Sequence, residues 1–180
     1  MSNIYHSLIL ILLALIPATG NAMKPPKNGD VVITMRNGQP CFSYQQDKSS
    51  SFSSLYISKI GTEDSGGWAI QIKSADRKGL LDPNNIKACI KYGVLNPGTE
   101  IVAPAEPLRF DTPYRARLYT NTTTGVSYES RYASDFCITR NAKGNTILVS
   151  ADWDDKAGAM KCLKPGESPK RSFWQKLFGK

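Results

Sequence analysis

Histidine is almost absent from this chain of 180 residues: its one imidazole is His6, inside an apolar N-terminal segment. With that segment removed, no Ser-His or Cys-His catalytic pair and no His-ligated metal site can form, since each needs an imidazole nitrogen. No two cysteines stand as C-x-x-C, which argues against a redox dithiol and a zinc knuckle. No apolar run approaches the roughly 20 residues that a membrane-spanning helix requires. Sustained i, i+3, i+4 apolar spacing is also missing before the C-terminal tail, so long helices are not expected. Acidic residues are outnumbered, 15 against 23 Lys and Arg, for a net charge of +8. That balance favours an acidic partner or an anionic surface without identifying either. Nucleic acid is the least expected anion, because an exported protein rarely meets it.

What is present begins with an export signal. Residues 9–16 are an unbroken apolar run, Ile-Leu-Ile-Leu-Leu-Ala-Leu-Ile. Pro17, Thr19 and Gly20 break it, and Gly20-Asn21-Ala22 places small residues where a signal peptidase cuts. Residues 1–22 therefore read as a signal peptide cleaved after Ala22. An uncleaved N-terminal anchor is the alternative, because residues 1–7 hold no Lys or Arg. No cysteine follows the cut, so the mature N-terminus has no site for a lipid.

All four cysteines, Cys41, Cys89, Cys137 and Cys162, fall in the mature part. An even number in an exported domain points to two disulfides, with three connectivities open. Sequential pairing, Cys41–Cys89 and Cys137–Cys162, needs the fewest crossings and is the expected one.

After a polar lead-in over residues 23–29, the chain alternates short β-rich runs with turn signals. Val-Val-Ile-Thr-Met leads into Asn37-Gly38, a strong hairpin signal, and a second short strand carries Cys41. Residues 45–54 read as a serine-rich loop. Leu55 and Ile57 share one face of the next strand, and Trp68, Ile70 and Ile72 share a face of the one after. Residues 61–67 turn and residues 74–86 form a long loop. Strands are further expected over residues 87–92, 100–103, 114–120, 130–139 and 146–150, with a turn from Thr122. The total, about seven to nine short antiparallel strands, predicts an all-β fold. The expected architecture is a small immunoglobulin-like β-sandwich over residues 23–165, stapled by disulfides. Residues 166–180 form a basic amphipathic tail or short helix, in which Phe173, Trp174, Leu177 and Phe178 gather on one side. That tail suits peripheral contact with an anionic membrane, a partner groove, or capping of its own domain.

Candidate chemistry is sparse. Asp152-Trp153-Asp154-Asp155 lacks the glycine and the bidentate Glu of a calcium loop and reads as a solvated loop. Glu63 and Asp64 are adjacent in a turn and point apart, which does not suit a two-carboxylate glycosidase. Asn121-Thr122-Thr123 is a formal glycosylation sequon. Arg109, Arg115, Arg117 and Arg131 crowd one stretch, and Arg115 and Arg117 share the polar face of a strand. Guanidinium forks match carboxylates, so these four, with Phe173 and Trp174, are the candidate partner-binding residues. The bland alternative is an ordinary solvated face. No metal or cofactor is expected, and the chain reads as a binder, not an enzyme.

Gly29-Asp30-Val31-Val32-Ile33-Thr34-Met35-Arg36-Asn37-Gly38-Gln39-Pro40-Cys41 resembles the opening of a family of small Gram-negative periplasmic proteins, the type VI secretion immunity proteins. Cys89-Ile90-Lys91-Tyr92-Gly93 and the Tyr-rich strand before a final hairpin, residues 132–149, fit the same pattern. The likeness spans residues 29–150. Many members are lipoproteins, and this chain departs from them in having no lipid-attachment cysteine and in adding a second cysteine pair and a basic tail. The resemblance implies a periplasmic, non-enzymatic protein that binds and neutralises a toxic effector, with an acidic effector surface suiting its charge. The competing readings are an inhibitor of a host lysozyme or protease, an enzyme acting on wall or lipid through carboxylates, and a secreted adhesin-type interaction domain. Lysozymes are commonly basic, which disfavours the lysozyme variant on net charge.

Overall fold

The structure is a computed structural model, and it describes residues 28–44, 50–61, 67–73, 89–122 and 130–170. The signal segment, Glu63, Asp64, Phe173 and Trp174 lie outside these residues. Eleven strands and no helix occur among the described residues: β1 (Asn28–Gly29), β2 (Val31–Arg36), β3 (Gln39–Tyr44), β4 (Ser50–Lys59), β5 (Trp68–Ile72), β6 (Ile90–Lys91), β7 (Thr99–Ala103), β8 (Tyr114–Thr122), β9 (Ser130–Arg140), β10 (Thr146–Asp154) and β11 (Ala159–Cys162).

Two sheets form. The larger runs β11-β10-β9-β8-β4-β5-β7, antiparallel at every step, with β1 lying parallel to β9. The smaller is β2-β3-β6. Its hairpin turns at Asn37 and Gly38, whose φ angles of 52° and 77° are the two positive values that a tight turn between twisted strands requires. Val31, Phe42, Tyr44 and Ile90 of the small sheet meet Leu55, Ile57, Trp68, Ile70, Leu118, Tyr132 and Phe136 of the large one in a common core. Phe42 meets Phe136 edge-on at 5.8 Å between ring centroids, and Tyr44 lies against Tyr132 at 4.9 Å. The all-β sandwich follows from these inward faces, as the alternation of the sequence predicts.

Both disulfides pair sequentially, Cys41–Cys89 and Cys137–Cys162. Neither crosses between the sheets as the bridge of an antibody domain does. Cys41–Cys89 ties β3 to the entry of β6, and Cys137–Cys162 ties β9 to β11 across β10. The link between sheets is made instead by the chain itself. β1 pairs with β9, the chain crosses at Asp30, and the Ser134 hydroxyl donates to the Val31 carbonyl at 2.8 Å.

Five local expectations need correction. Residues 50–54, read as loop, belong to β4. A register shift between Phe52 and Ser54 lets Phe52 and Leu55, three apart, both face the core, which hides the strand from a two-residue period. Asp152, Trp153 and Asp154 are not a loop but the second half of β10, paired with β11. There Val149 and Ala151 are buried beside Cys137, with Met160 and Cys162 packed on them. Within the lead-in, Asn28 and Gly29 form β1, and Thr122 ends β8 instead of opening a turn. Of the strand expected over residues 87–92, residues 87 and 88 lie outside the described ones, and Ile90–Lys91 forms the paired part of the rest.

Candidate functional site

The site is built by strand alternation on the large sheet. With Leu55 and Ile57 of β4 and Ala116 and Leu118 of β8 turned into the core, the intervening side chains face outward. Three rows cross this outer face from β4 through β8 to β9: Ser58–Arg115–Asp135, Tyr56–Arg117–Ala133 and Ser54–Tyr119–Arg131. The rings of Tyr56 and Tyr119 meet edge to face at 5.6 Å. Toward the sheet edge, Ala69 of β5 stands opposite Tyr56 and is followed by β7. Because Ser54, Gly67 and Ala69 are small, the surface dips there into an open groove of about 540 Å³ that Tyr56, Tyr119, Arg117, Arg131 and Val102 also line.

The two arginines of β8 are held differently. Arg115 is clamped by Asp135, Nε to Oδ1 at 2.6 Å and Nη2 to Oδ2 at 2.7 Å. That hydrogen bond holds the guanidinium above its ordinary value, against the opposing effect of burial. Arg117 is exposed, faces Ala133 across the ladder, and has no ion pair or hydrogen bond among the described residues. Of the candidate arginines, the fold thus brings Arg115, Arg117 and Arg131 onto one face.

Arg109 lies elsewhere. It belongs to the connection between β7 and β8, where its amide donates to the Tyr114 hydroxyl at 2.9 Å. It borders a recess of about 130 Å³ together with Tyr92, Glu106 and Lys59. Burial is the main cause that pushes the Tyr92 phenol up to about 12, with Tyr114 and Glu106 adding to it. Its hydroxyl donates to the Glu106 carbonyl at 2.7 Å.

Sequence reasoning named the arginines and missed the tyrosines. The signal for Tyr119 was present, since it shares parity with Arg115 and Arg117 along β8. Tyr56 could have been found as the outward residue between Leu55 and Ile57. Among the described residues no group of three His, Cys, Asp or Glu side chains is placed to hold a metal. The class that fold and face define is an all-β, disulfide-bonded sandwich suited to an oxidising compartment, with an arginine- and tyrosine-bearing sheet face. No family model, no characterised protein and no solved structure matches the chain.

Proposed function

We propose that this is an exported binding protein, acting without catalysis, whose outer sheet face grips an acidic surface of a partner protein. The observation that carries the reading is the Tyr56–Tyr119 edge pair flanked in register by Arg117 and Arg131. Tyr and Arg are the side chains that most often dominate interface energy, because they join large rigid contact area to directed hydrogen bonds. Here they stand on three adjacent hydrogen-bonded strands, so little ordering is needed on binding. A net charge of +8 would speed encounter with an acidic partner.

The particular reading is neutralisation of a type VI effector in the periplasm, as an immunity protein. It rests on the opening stretch Gly29 to Cys41 and on the export signal. The test is protection. The gene beside this one is expressed with a periplasmic address, with and without this protein, and survival is counted. Rescue by the wild type, lost in a Tyr56→Ala/Tyr119→Ala variant that still folds, supports the reading. Equal survival without this protein, or full rescue by the variant, sinks it. Inhibition of a host lysozyme or protease by the purified protein would assign the same face to the other kind of target.

A further inference from the structure

We infer that Arg117 is an open carboxylate receptor, which an Asp or Glu side chain of the partner completes as Asp135 completes Arg115. The inference rests on the binding face proposed above and names the contact at its centre.

The argument is one of register. Arg115 and Arg117 are two residues apart on β8, and their partners Asp135 and Ala133 are two apart on β9. In an antiparallel ladder, pairs two residues apart are of the same type, so both arginines have equivalent geometry toward β9. The fold fills one position with a carboxylate, which takes both arms of the guanidinium fork. It fills the other with a methyl group and leaves that fork exposed beside the groove. Tyr56, directly opposite Arg117 on β4, and Tyr119, two residues along β8, screen its flank. A carboxylate arriving there would meet a directional donor pair in a partly shielded setting, where a charge-assisted bond is stronger than in open water. An acidic peptide segment is the favoured source. Such a segment supplies a carboxylate on a flexible stem that can enter an open groove while its backbone stays outside.

The closing experiment uses the folded protein and three probes at low salt: hexaglutamate, hexaglutamine and an oligogalacturonate. Hexaglutamate is expected to bind and hexaglutamine not to. Ala133→Asp places an internal carboxylate opposite Arg117 and is expected to weaken hexaglutamate binding at least tenfold. Arg117→Gln is expected to do the same, and Ala133→Asn to leave binding within twofold. Lys143→Ala removes the same unit of charge at the distant β9–β10 turn and is expected to change little. Thermal unfolding checks that each variant folds, and Arg117→Gln serves alone if Ala133→Asp does not. Binding unchanged in Arg117→Gln, or weakened as much by Lys143→Ala, overturns the receptor. Tenfold preference for the oligogalacturonate overturns the peptide and makes the groove an acidic-glycan site. In the protection assay, loss of rescue in Tyr56→Ala but not in Arg117→Gln or Ala133→Asp leaves the face standing and removes the receptor. No effect of any of the three removes the face itself.

Discussion

Asp135 faces Arg115 across the β8–β9 ladder and binds it with both carboxylate oxygens, at 2.6 and 2.7 Å. The arrangement is a fork-to-fork pair, the strongest geometry that a surface ion pair takes. The side chains are 37% and 21% exposed, so water screens the attraction. We expect Asp135→Ala to lower the unfolding free energy by on the order of 0.5–1 kcal/mol. Urea denaturation of Asp135→Ala, Arg115→Ala and the double variant would give the coupling directly. A coupling indistinguishable from zero would make the pair ornamental.

Two glycines are fixed by what lies against them. A Cβ on Gly29 would stand 2.8 Å from the ring of Tyr132, its partner across the parallel β1–β9 pairing. That ring is buried and packed on Tyr44, so it cannot swing aside freely. Gly29→Ala should cost about 1–3 kcal/mol, as overpacking of a filled core does. A Cβ on Gly67 would overlap the Ile57 carbonyl, which is backbone and can move only if β4 moves. Gly67→Ala should therefore be the more damaging of the two. Thermal unfolding of both variants checks the order, and a reversed order would mean that the strand yields more easily than the ring.

How far the sequence was legible follows the physics of each element. β5 and β8 could be read because one face is core and the other solvent, so a two-residue period survives. β4 could be read only from Leu55 onward, because the bulge before Ser54 breaks that period. The β10–β11 hairpin escaped because little of it is buried: Ala151 and Cys162 pack inward, while Trp153 and Lys161 are exposed. Its order comes from pairing and a disulfide, neither of which leaves an apolar pattern. The arginines were legible as a cluster in sequence, but their roles were not. Which of Arg115 and Arg117 is occupied depends on Asp135 and Ala133, some twenty residues away and opposed to them only through the β8–β9 register.

The two disulfides should differ in weight. Cys41–Cys89 closes a separation of 48 residues and Cys137–Cys162 one of 25. If restriction of the unfolded chain dominates, the bridges contribute about 4 and about 3.5 kcal/mol respectively. Their locations differ more than their magnitudes. Removing the first by Cys41→Ala/Cys89→Ala should loosen the small sheet and the common core, because Cys41 is fully buried and Phe42 beside it packs on Phe136. Removing the second should free the β10–β11 hairpin and leave the Tyr56–Arg117 face folded. Hydrogen exchange resolved by residue separates these outcomes. Equal loss of protection over the whole domain in the Cys137→Ala/Cys162→Ala variant would contradict the local role.

Acid and alkali should act on the same hairpin from opposite ends. Lys161 Nζ lies 2.9 Å from Asp154 Oδ2, and Asp154 Oδ1 accepts the Lys156 amide at 3.0 Å. Lys161 first, then the turn amides of Lys156 and Ala157, hold the Asp154 carboxyl below its ordinary 3.8. Asp154 in turn raises the Lys161 ammonium above its ordinary 10.5. A lowered carboxyl stabilises the folded hairpin above pH 3.8, and that contribution is lost as pH falls through the lowered value. A raised ammonium stabilises below pH 10.5, and its contribution is lost as pH rises through the raised value. Between those limits the pair is intact and its effect pH-independent. The pair sits at the surface, so high salt should weaken it. Carboxyl-detected NMR should find the Asp154 midpoint below 3.8 and Lys161→Ala should move it upward. Should that variant leave the midpoint in place, the turn amides alone would be setting it, and the alkaline limb of the prediction would fall with the ion pair.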